Sequence, residues 1–381
     1  MQVVYAREDF PETFSQAIFL AGPTPRTEDT PSWRPEALRL LEEAGYEGVV
    51  FVPEPRHGWS RDYDGQIEWE EEGLRLSDCI LFWIPRDLET MPAFTTNDEW
   101  GTWKYSGRVV MGAPVGAEKV RYQRHYAAKL GIPNPYTLKE TVDAALEMVS
   151  KAAERTKGER FVPLSIWHSP SFQEWYGNLR RAGNRLDGAR VVWTFFAPKS
   201  KFLVFWAIHA DVFVASENRH KTNEVVLSRP SISSVLMFRP AENFLDTEVV
   251  LVREFRSPVS NAKGFVWELP GGSSFKAGVD PKENAASEVK EETSLVLDAD
   301  RFREHGSAQL VATLSTHRTH LFSVELTGTE IEKVKSLRDQ VFGNEADTER
   351  TFVEVWTLRQ LRDSDLVDFS TKGMVFSVLI S

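Results

Sequence analysis

Four short apolar runs separated by segments of helical spacing restrict the first part of this chain more than any other feature. The runs are 16–21 (QAIFLA), 48–52 (GVVFV), 79–84 (CILFWI) and 108–111 (RVVM). Each is too short for a helix and carries no polar–apolar alternation along its core, so each reads as a strand buried on both faces. Between the first two, Ser32 precedes a helical segment with Glu36 near its first turn, Ala37, Leu38, Leu40 and Leu41 at helical spacing, and Gly45 at its end. A very acidic helix is predicted over 66–76, with further helices over 95–106, 117–130 and 138–155. Such alternation predicts a doubly wound, mostly parallel α/β sheet, in which ligands bind beyond the carboxyl ends of the strands. The residues after Ala21, Val52 and Ile84 are site candidates on that ground alone.

The pattern changes after 156–160 (TKGER), which reads as a linker. One helix is predicted over 169–181. Strand-like runs follow at 190–196, 202–214, 233–238 and 248–254, then a helix over 282–294. Further strands are predicted at 308–314, 319–326 and 350–358, with a closing helix over 371–379. This half reads as α+β with a mixed sheet. A length of 381 residues accommodates two domains. The expected division is 1–155, a linker and extension over 156–189, and 190–381.

Composition narrows the function classes. With 41% hydrophobic and 27% charged residues the chain has a globular balance. No apolar run approaches the roughly 18 residues of a membrane span, and no basic region followed by an apolar stretch opens the sequence. The single cysteine, Cys79, excludes an intramolecular disulfide framework and a multi-cysteine zinc site. A cytoplasmic protein is expected, with no membrane partner. The 56 acidic against 45 basic residues, a net charge of −11, disfavour a nucleic-acid polymer. They leave room for small anions met by placed arginines or a divalent metal.

In the second half, Glu268-Leu-Pro-Gly-Gly272 precedes a helix with Asp280 at its N-cap and Pro281 in its first turn. Glu288, Glu291 and Glu292 stand there at i, i+3 and i+4 and share one face. Three such carboxylates repel one another unless a hard divalent cation sits among them; taken alone they are better described as a solvated acidic stripe. The whole segment resembles the Nudix box of Mg²⁺-dependent hydrolases of nucleoside diphosphates, in the branch acting on ADP-ribose and ADP-sugars. The run 249–256 (VVLVREFR) and Trp267 to Gly272 resemble that branch's strands, and the likeness spans about 190–381. It implies a Nudix fold, Mg²⁺ (or Mn²⁺) held by Glu288, Glu291 and Glu292, and a general base at Glu345 or Glu349. It also implies substrate contacts from Glu268, Arg253 and Arg256, although the arginines equally suit surface strand ends. Ser287 replaces the box arginine and Ser294 its glycine, and the loop after Gly272 is one residue longer. These departures motivate a second reading, a box that binds a nucleotide without cleaving it and regulates the first half.

In the first half, Ile18-Phe-Leu-Ala-Gly-Pro23, Ser32-Trp-Arg34, Val52-Pro-Glu54, Glu68-Trp-Glu70, Ser77-Asp78 and Thr95-Thr-Asn-Asp-Glu-Trp-Gly101 follow in order. In order and spacing they resemble the nucleoside 2-deoxyribosyltransferase-like family, over roughly 15–150. The resemblance implies a flavodoxin-like sheet and cleavage or exchange of the N-glycosidic bond of a nucleoside or nucleotide. It places the nucleophile at Glu99 and an acid for the leaving base at Glu70, with Gly22, Pro23, Asp78 and Asn97 in the binding motifs. Without it, Glu70 is equally a solvated helix residue and Asp78 a turn residue. Phe19 stands where relatives have a tyrosine and Ala93 where they have a sugar-contacting aspartate, so a ribose or a 5′-phosphorylated substrate enters consideration. Arg26, Arg34 and Arg86 could meet such a phosphate. Relatives complete the site from a neighbouring subunit, which implies a homo-oligomer. The pairing of the two halves suggests one pool of substrates, and NAD, which yields ADP-ribose on losing nicotinamide, would serve both.

Overall fold

The computed structural model describes residues 1–27, 29–57, 63–197, 202–273, 278–343 and 349–380. They form two compact units, Met1–Leu227 and Ser228–Ser381.

The first unit is built on strands β1 (Gln2–Tyr5), β3 (Ala17–Ala21), β4 (Val49–Val52), β5 (Cys79–Trp83) and β6 (Val109–Gly112), with a short β2 (Thr13–Phe14) outside that sheet. Among the described residues their order is β1-β4-β3-β5-β6, and every pairing is parallel. Helices α1 (Arg34–Glu43), α2 (Tyr63–Leu76), α3 (Phe94–Trp103), α4 (Arg121–Leu130) and α5 (Leu138–Met148) cover both faces. Alternate strand residues enter opposite layers: Phe19, Phe51, Ile80 and Met111 meet Trp69, Trp100 and Ala127, whereas Ile18, Val50, Leu81 and Val110 meet Ala37, Leu41 and Val142. Burial on both faces is why the strands are continuously apolar. The arrangement is compatible with a flavodoxin-like fold. The chain crosses from one side of β3 to the other between β4 and β5, so the switch point lies between β3 and β5, where such sheets bind ligands.

Two local expectations shift. The first turn of α1 takes Ser32 one residue before the N-cap Trp33, with the Ser32 Oγ still accepting the Arg34 N–H at 3.2 Å. The strand β1 was not expected; it is a short, half-exposed edge with little apolar signal.

Residues 156–227 do not form a linker and the start of a second domain. They continue the first unit through β7 (Arg155–Thr156), which pairs with β2, then α6 (Leu164–Trp167), α7 (Pro170–Arg181), β8 (Arg185–Phe196), β9 (Leu203–Val214) and β10 (Arg219–Ser228). The last three make an antiparallel sheet in the order β10-β9-β8. Phe172, Tyr176, Trp206 and Ile208 form its core against the helices.

The second unit contains β11 (Ile232–Arg239), β12 (Glu248–Phe255), β13 (Phe265–Glu268), β14 (Gly271–Gly272), α8 (Pro281–Thr293), β15 (Arg303–Gln309), β16 (Arg318–Glu325), α9 (Gly328–Ser336), β17 (Thr351–Thr357), α10 (Leu358–Asp363) and α11 (Phe369–Leu379). Its sheet is mixed: β11 and β16 are parallel, while β12 pairs antiparallel with β11, β13 and β17. One face packs on α8 and α9 through Ala285, Val289, Ile331 and Val334, and the other on α10 and α11 through Leu358, Leu361 and Val375. As expected, Asp280 caps α8, accepting the Lys282 and Glu283 N–H groups, and Pro281 stands in its first turn. No helix among the described residues is long and apolar enough to cross a membrane.

Candidate active site

At the carboxyl ends of β3 and β5 the backbone turns sharply. Gly22 has φ +149°, and a Cβ there would overlap the Trp83 carbonyl oxygen and stand 2.9 Å from the Trp33 ring. Glycine is the residue that allows this approach. Arg34, buried from the first turn of α1, locks the loop that follows. Its Nε donates to the Leu20 carbonyl at 3.1 Å, its Nη2 to the Gly22 carbonyl at 2.7 Å, and its Nη1 to the Thr24 Oγ1 at 3.1 Å and the Glu54 Oε1 at 2.5 Å. Ser32 Oγ donates to the same Glu54 carboxylate. The loops leaving β3 and β4 are thus tied to one guanidinium.

These loops bound a cavity of about 210 Å³. Gly22, Pro23, Arg34, Glu70 and Glu99 all line it, together with Thr24, Arg26, Ala93 and Phe94. Glu70 comes from α2 and Glu99 from the second turn of α3. Gln66, one turn earlier on α2, donates its Nε2–H to the Glu70 Oε1 at 2.7 Å. Burial raises the Glu70 pKa, opposed by the Gln66 hydrogen bond and the Arg34 charge. Glu99 is pushed up to about 8, first by burial and then by the Glu70 and Asp98 charges, with Arg34 opposing. Two carboxyls in one cavity, one raising the pKa of the other, behave as a pair that keeps a proton near neutral pH.

Phe94 and Thr95 were not anticipated by the sequence reading. The signal that could have found them is the loop after Ile84, which ends at Ala93 in the left-handed region at φ +60°, immediately before α3. Phe19, at the relatives' tyrosine position, is fully buried in the sheet beside Trp69, 6.3 Å between ring centres.

Three expected binding residues stand outside the cavity lining. Asp78 begins β5 and is therefore at the opposite end of the strand. Its carboxylate accepts from Arg155 Nη1 and Nη2 at 2.8 and 2.6 Å, from the Ala17 N–H at 2.9 Å and from the Leu164 N–H at 3.1 Å. That is a structural ion pair, and all its acceptor capacity is spent. Arg86 is buried, donating to the Lys119 carbonyl at 3.0 Å and to the Asn97 Oδ1 at 2.5 Å. Gln123 donates to the same Asn97 oxygen at 2.7 Å. Asn97 and Arg86 brace α3 against the loop before α4.

In the second unit the structure separates the expected residues. Arg253 pairs with Glu354 at 3.2 Å under the Phe352 ring, and Arg256 is held by Glu254 and Glu268, each at 2.8 Å. Neither is a free clamp. Glu292 is buried and accepts the Gly271 N–H at 2.9 Å. Burial, then the Glu288 charge, holds its pKa well above the ordinary value. Glu288 is raised to about 7 by burial, then by Glu291 and Glu349. Glu254, not anticipated, is raised to about 7, chiefly by burial. Glu291 is exposed and accepts from the Ser287 hydroxyl at 2.9 Å. Glu345 lies outside the described residues. Oxygen donors of this kind suit a hard divalent cation. Yet among the described residues no three His, Cys, Asp or Glu side chains are placed to hold a metal ion.

Residues 15–117 match the family described as "Nucleoside 2-deoxyribosyltransferase like". The match covers β3 through α3 and β6, the elements that carry Gly22, Arg34, Glu70 and Glu99. That segment of the chain is thus similar to nucleoside 2-deoxyribosyltransferases, a description that is of an enzyme. No curated protein matches the chain.

Proposed function

We propose that the first unit cleaves or transfers across the N-glycosidic bond of a nucleoside or nucleotide. The observation that carries this reading is the Glu70–Glu99 pair, two carboxyls in one cavity at the switch point of the sheet, inside the matched segment. In the productive form Glu99 is ionised and Glu70 carries the shared proton. A Glu99 oxygen attacks C1′, the C1′–N bond breaks, and its electron pair goes to the base nitrogen, which takes the proton from Glu70. Water or a second base then attacks C1′, giving its proton to the Glu70 carboxylate as the C1′–O bond to Glu99 breaks, which restores the Glu99 carboxylate and the Glu70 acid, the double displacement of retaining glycosidases. Arg34 fixes the loop over the sugar and lowers both carboxyl pKa values, acting by position.

Incubation with ribo- and deoxyribonucleosides and their 5′-phosphates, followed by chromatography, tests this. Release of free base by the wild type, its loss in Glu99→Ala, and a sugar adduct on Glu99 by mass spectrometry are expected. Undiminished turnover in Glu99→Ala overturns the assignment. The implied homo-oligomer is tested on the same preparation by light scattering.

For the second unit we propose a Nudix-like domain that binds an ADP-ribose-like nucleoside diphosphate derivative. What favours it is the repulsion of the buried Glu292 by the half-buried Glu288 beside the Gly271-Gly272 strand. A divalent cation, Mg²⁺ or Mn²⁺, would supply charge neutralisation for a pyrophosphate there. Pyrophosphate cleavage of ADP-ribose that requires the cation supports a hydrolase. Binding without turnover supports the regulatory role motivated by Ser287, which robust cleavage removes, and the absence of both binding and cleavage overturns the reading of this unit.

A further inference from the structure

We propose that two copies of this chain associate through the outer edge of β10, pairing antiparallel about Thr222 so that two three-stranded sheets become one of six strands. The contact lies outside residues 15–117, and it stands or falls apart from the glycosidic reading.

Strand β10 is ten residues long and ends its sheet. On one side it pairs with β9, and among the described residues no strand pairs with the other side. From Arg219 to Val225 every residue is exposed except Lys221, which is half-buried. The outward N–H and C=O groups of such an edge are a template for another strand. Natural sheets blunt a free edge by shortness, by proline or by charges that repel a newcomer. Strand β10 is neither short nor interrupted by proline. Its charges match a second copy of itself.

Directly opposite residues of an antiparallel pair point to the same face. A twofold axis between two copies of one strand must therefore set some residue opposite itself. Lys221 or Glu224 in that place would oppose like charges. Asn223 there would set Thr222 against Glu224 and Lys221 against Val225, and no charges would pair. Thr222 there sets His220 of each copy against Glu224 of the other, Lys221 against Asn223, and the two threonines against each other. Donor–carboxylate and threonine pairs are favourable cross-strand partners.

The side chains involved are already held at this edge. His220 Nδ1 lies 2.8 Å from Asp211 Oδ1, and its ring stands edge-on to Phe213 at 5.3 Å between centres. Asp187, 3.7 Å from His220 Nε2, is itself engaged by Arg185 and Lys157. Glu224 is 61% exposed and meets Lys221 at 3.3 Å. Residues three apart in a strand point to opposite faces, so this pair closes around the open edge. An ion pair so exposed is weak and exchanges readily for cross-strand partners.

Sedimentation of the full chain and cysteine cross-linking test the pairing. The wild type is expected to sediment as a dimer at micromolar concentration. Glu224→Lys opposes a cation to His220 at two places and should raise the dissociation constant by about 10-fold or more. Adding His220→Glu to it should restore the dimer, because the charges then match in the reverse sense. Thr222→Cys should give a covalent dimer on mild oxidation, since facing Cα atoms lie within disulfide reach. The native Cys79 is buried and does not compete. Asn223→Cys should not cross-link, because its counterpart stands two positions along the partner strand and beyond that reach. If Glu224→Lys proves unstable in a thermal melt, the cross-link at 222 decides. A monomeric wild type, a dimer indifferent to a stably folded Glu224→Lys, or cross-linking at 223 but not at 222 overturns the proposal.

Discussion

The Asp78 carboxylate and the Arg155 guanidinium meet in two parallel hydrogen bonds, 2.8 and 2.6 Å long, with both side chains almost wholly shielded from water. Removing one partner leaves the other charged and buried. Asp78→Ala is therefore expected to destabilise the first unit by about 3–5 kcal/mol, read as a fall in Tm. A variant that keeps wild-type stability but loses substrate affinity would contradict the structural role.

In the proposed reaction the Glu70–Glu99 pair sets the pH dependence of base release. With one shared proton required, kcat/KM is expected to be bell-shaped, its alkaline limb near the Glu99 value of about 8. Glu70→Gln removes both the acid and a like charge. The rate should fall by about 10²–10⁴-fold, and the remaining activity should rise with pH through a value below 8, as Glu99 ionises more readily. A profile unchanged by Glu70→Gln would separate the two residues.

The same raised value affects stability, and the sign follows from proton counting. Below pH 4.5 both folded and unfolded states hold the Glu99 proton, so nothing is lost. Between 4.5 and about 8 the unfolded state has released it while the folded state keeps it, and stability falls as pH rises. Glu99→Gln should thus raise Tm at pH 8.5 by several degrees, an effect on the order of 1–3 kcal/mol, and change it little at pH 4.5. Thermal melts at the two pH values decide it.

Gly22→Ala places a methyl group against the Trp83 carbonyl at a φ that L residues rarely adopt. A cost of at least about 1–3 kcal/mol is expected, with a loss of base release larger than that of Gly45→Ala. Gly45 also has positive φ, but its added Cβ would meet nothing within 4 Å.

In the second unit, Glu288→Gln is expected to raise Tm at pH 8 without divalent cations, because it removes a repelled, buried charge. If Glu288 and Glu292 attract a cation, Mg²⁺ should raise the wild-type Tm and leave Glu288→Gln unmoved. An equal response in both proteins would dissociate the pair from metal binding.

Much of the first sheet was legible because a strand buried on both faces writes a continuous apolar run, as at 16–21 and 79–84. The edge strand Gln2–Tyr5 writes no such run. Glu70 and Glu99 were reached through the family resemblance, and the structure brings both to the lining of one cavity. Asp78 was misplaced for the opposite reason. Its partner is 77 residues away, and a helix-to-strand turn residue looks the same in sequence whether it faces a ligand or a buried guanidinium. Arg34 shows the limit of reasoning from residue type: a cation near a cavity suggests a ligand contact, but hydrogen bonds to Leu20, Gly22, Pro23, Thr24 and Glu54 make it a brace between two loops. The boundary near 160 followed a change of pattern; an antiparallel hairpin can pack onto a parallel sheet without changing units.

The Asp78 carboxylate also accepts the Leu164 N–H, and Phe196 of β8 packs where any side chain on Gly107 would have to go. The stretch that carries the catalytic motifs is therefore not a module that can be lifted out whole. Expression of 1–155 strips Asp78 of one donor and bares the Gly107 turn, whereas expression of 1–227 keeps both. The shorter piece should be the one that aggregates, and any transplant or truncation of this half has to carry its downstream hairpin with it.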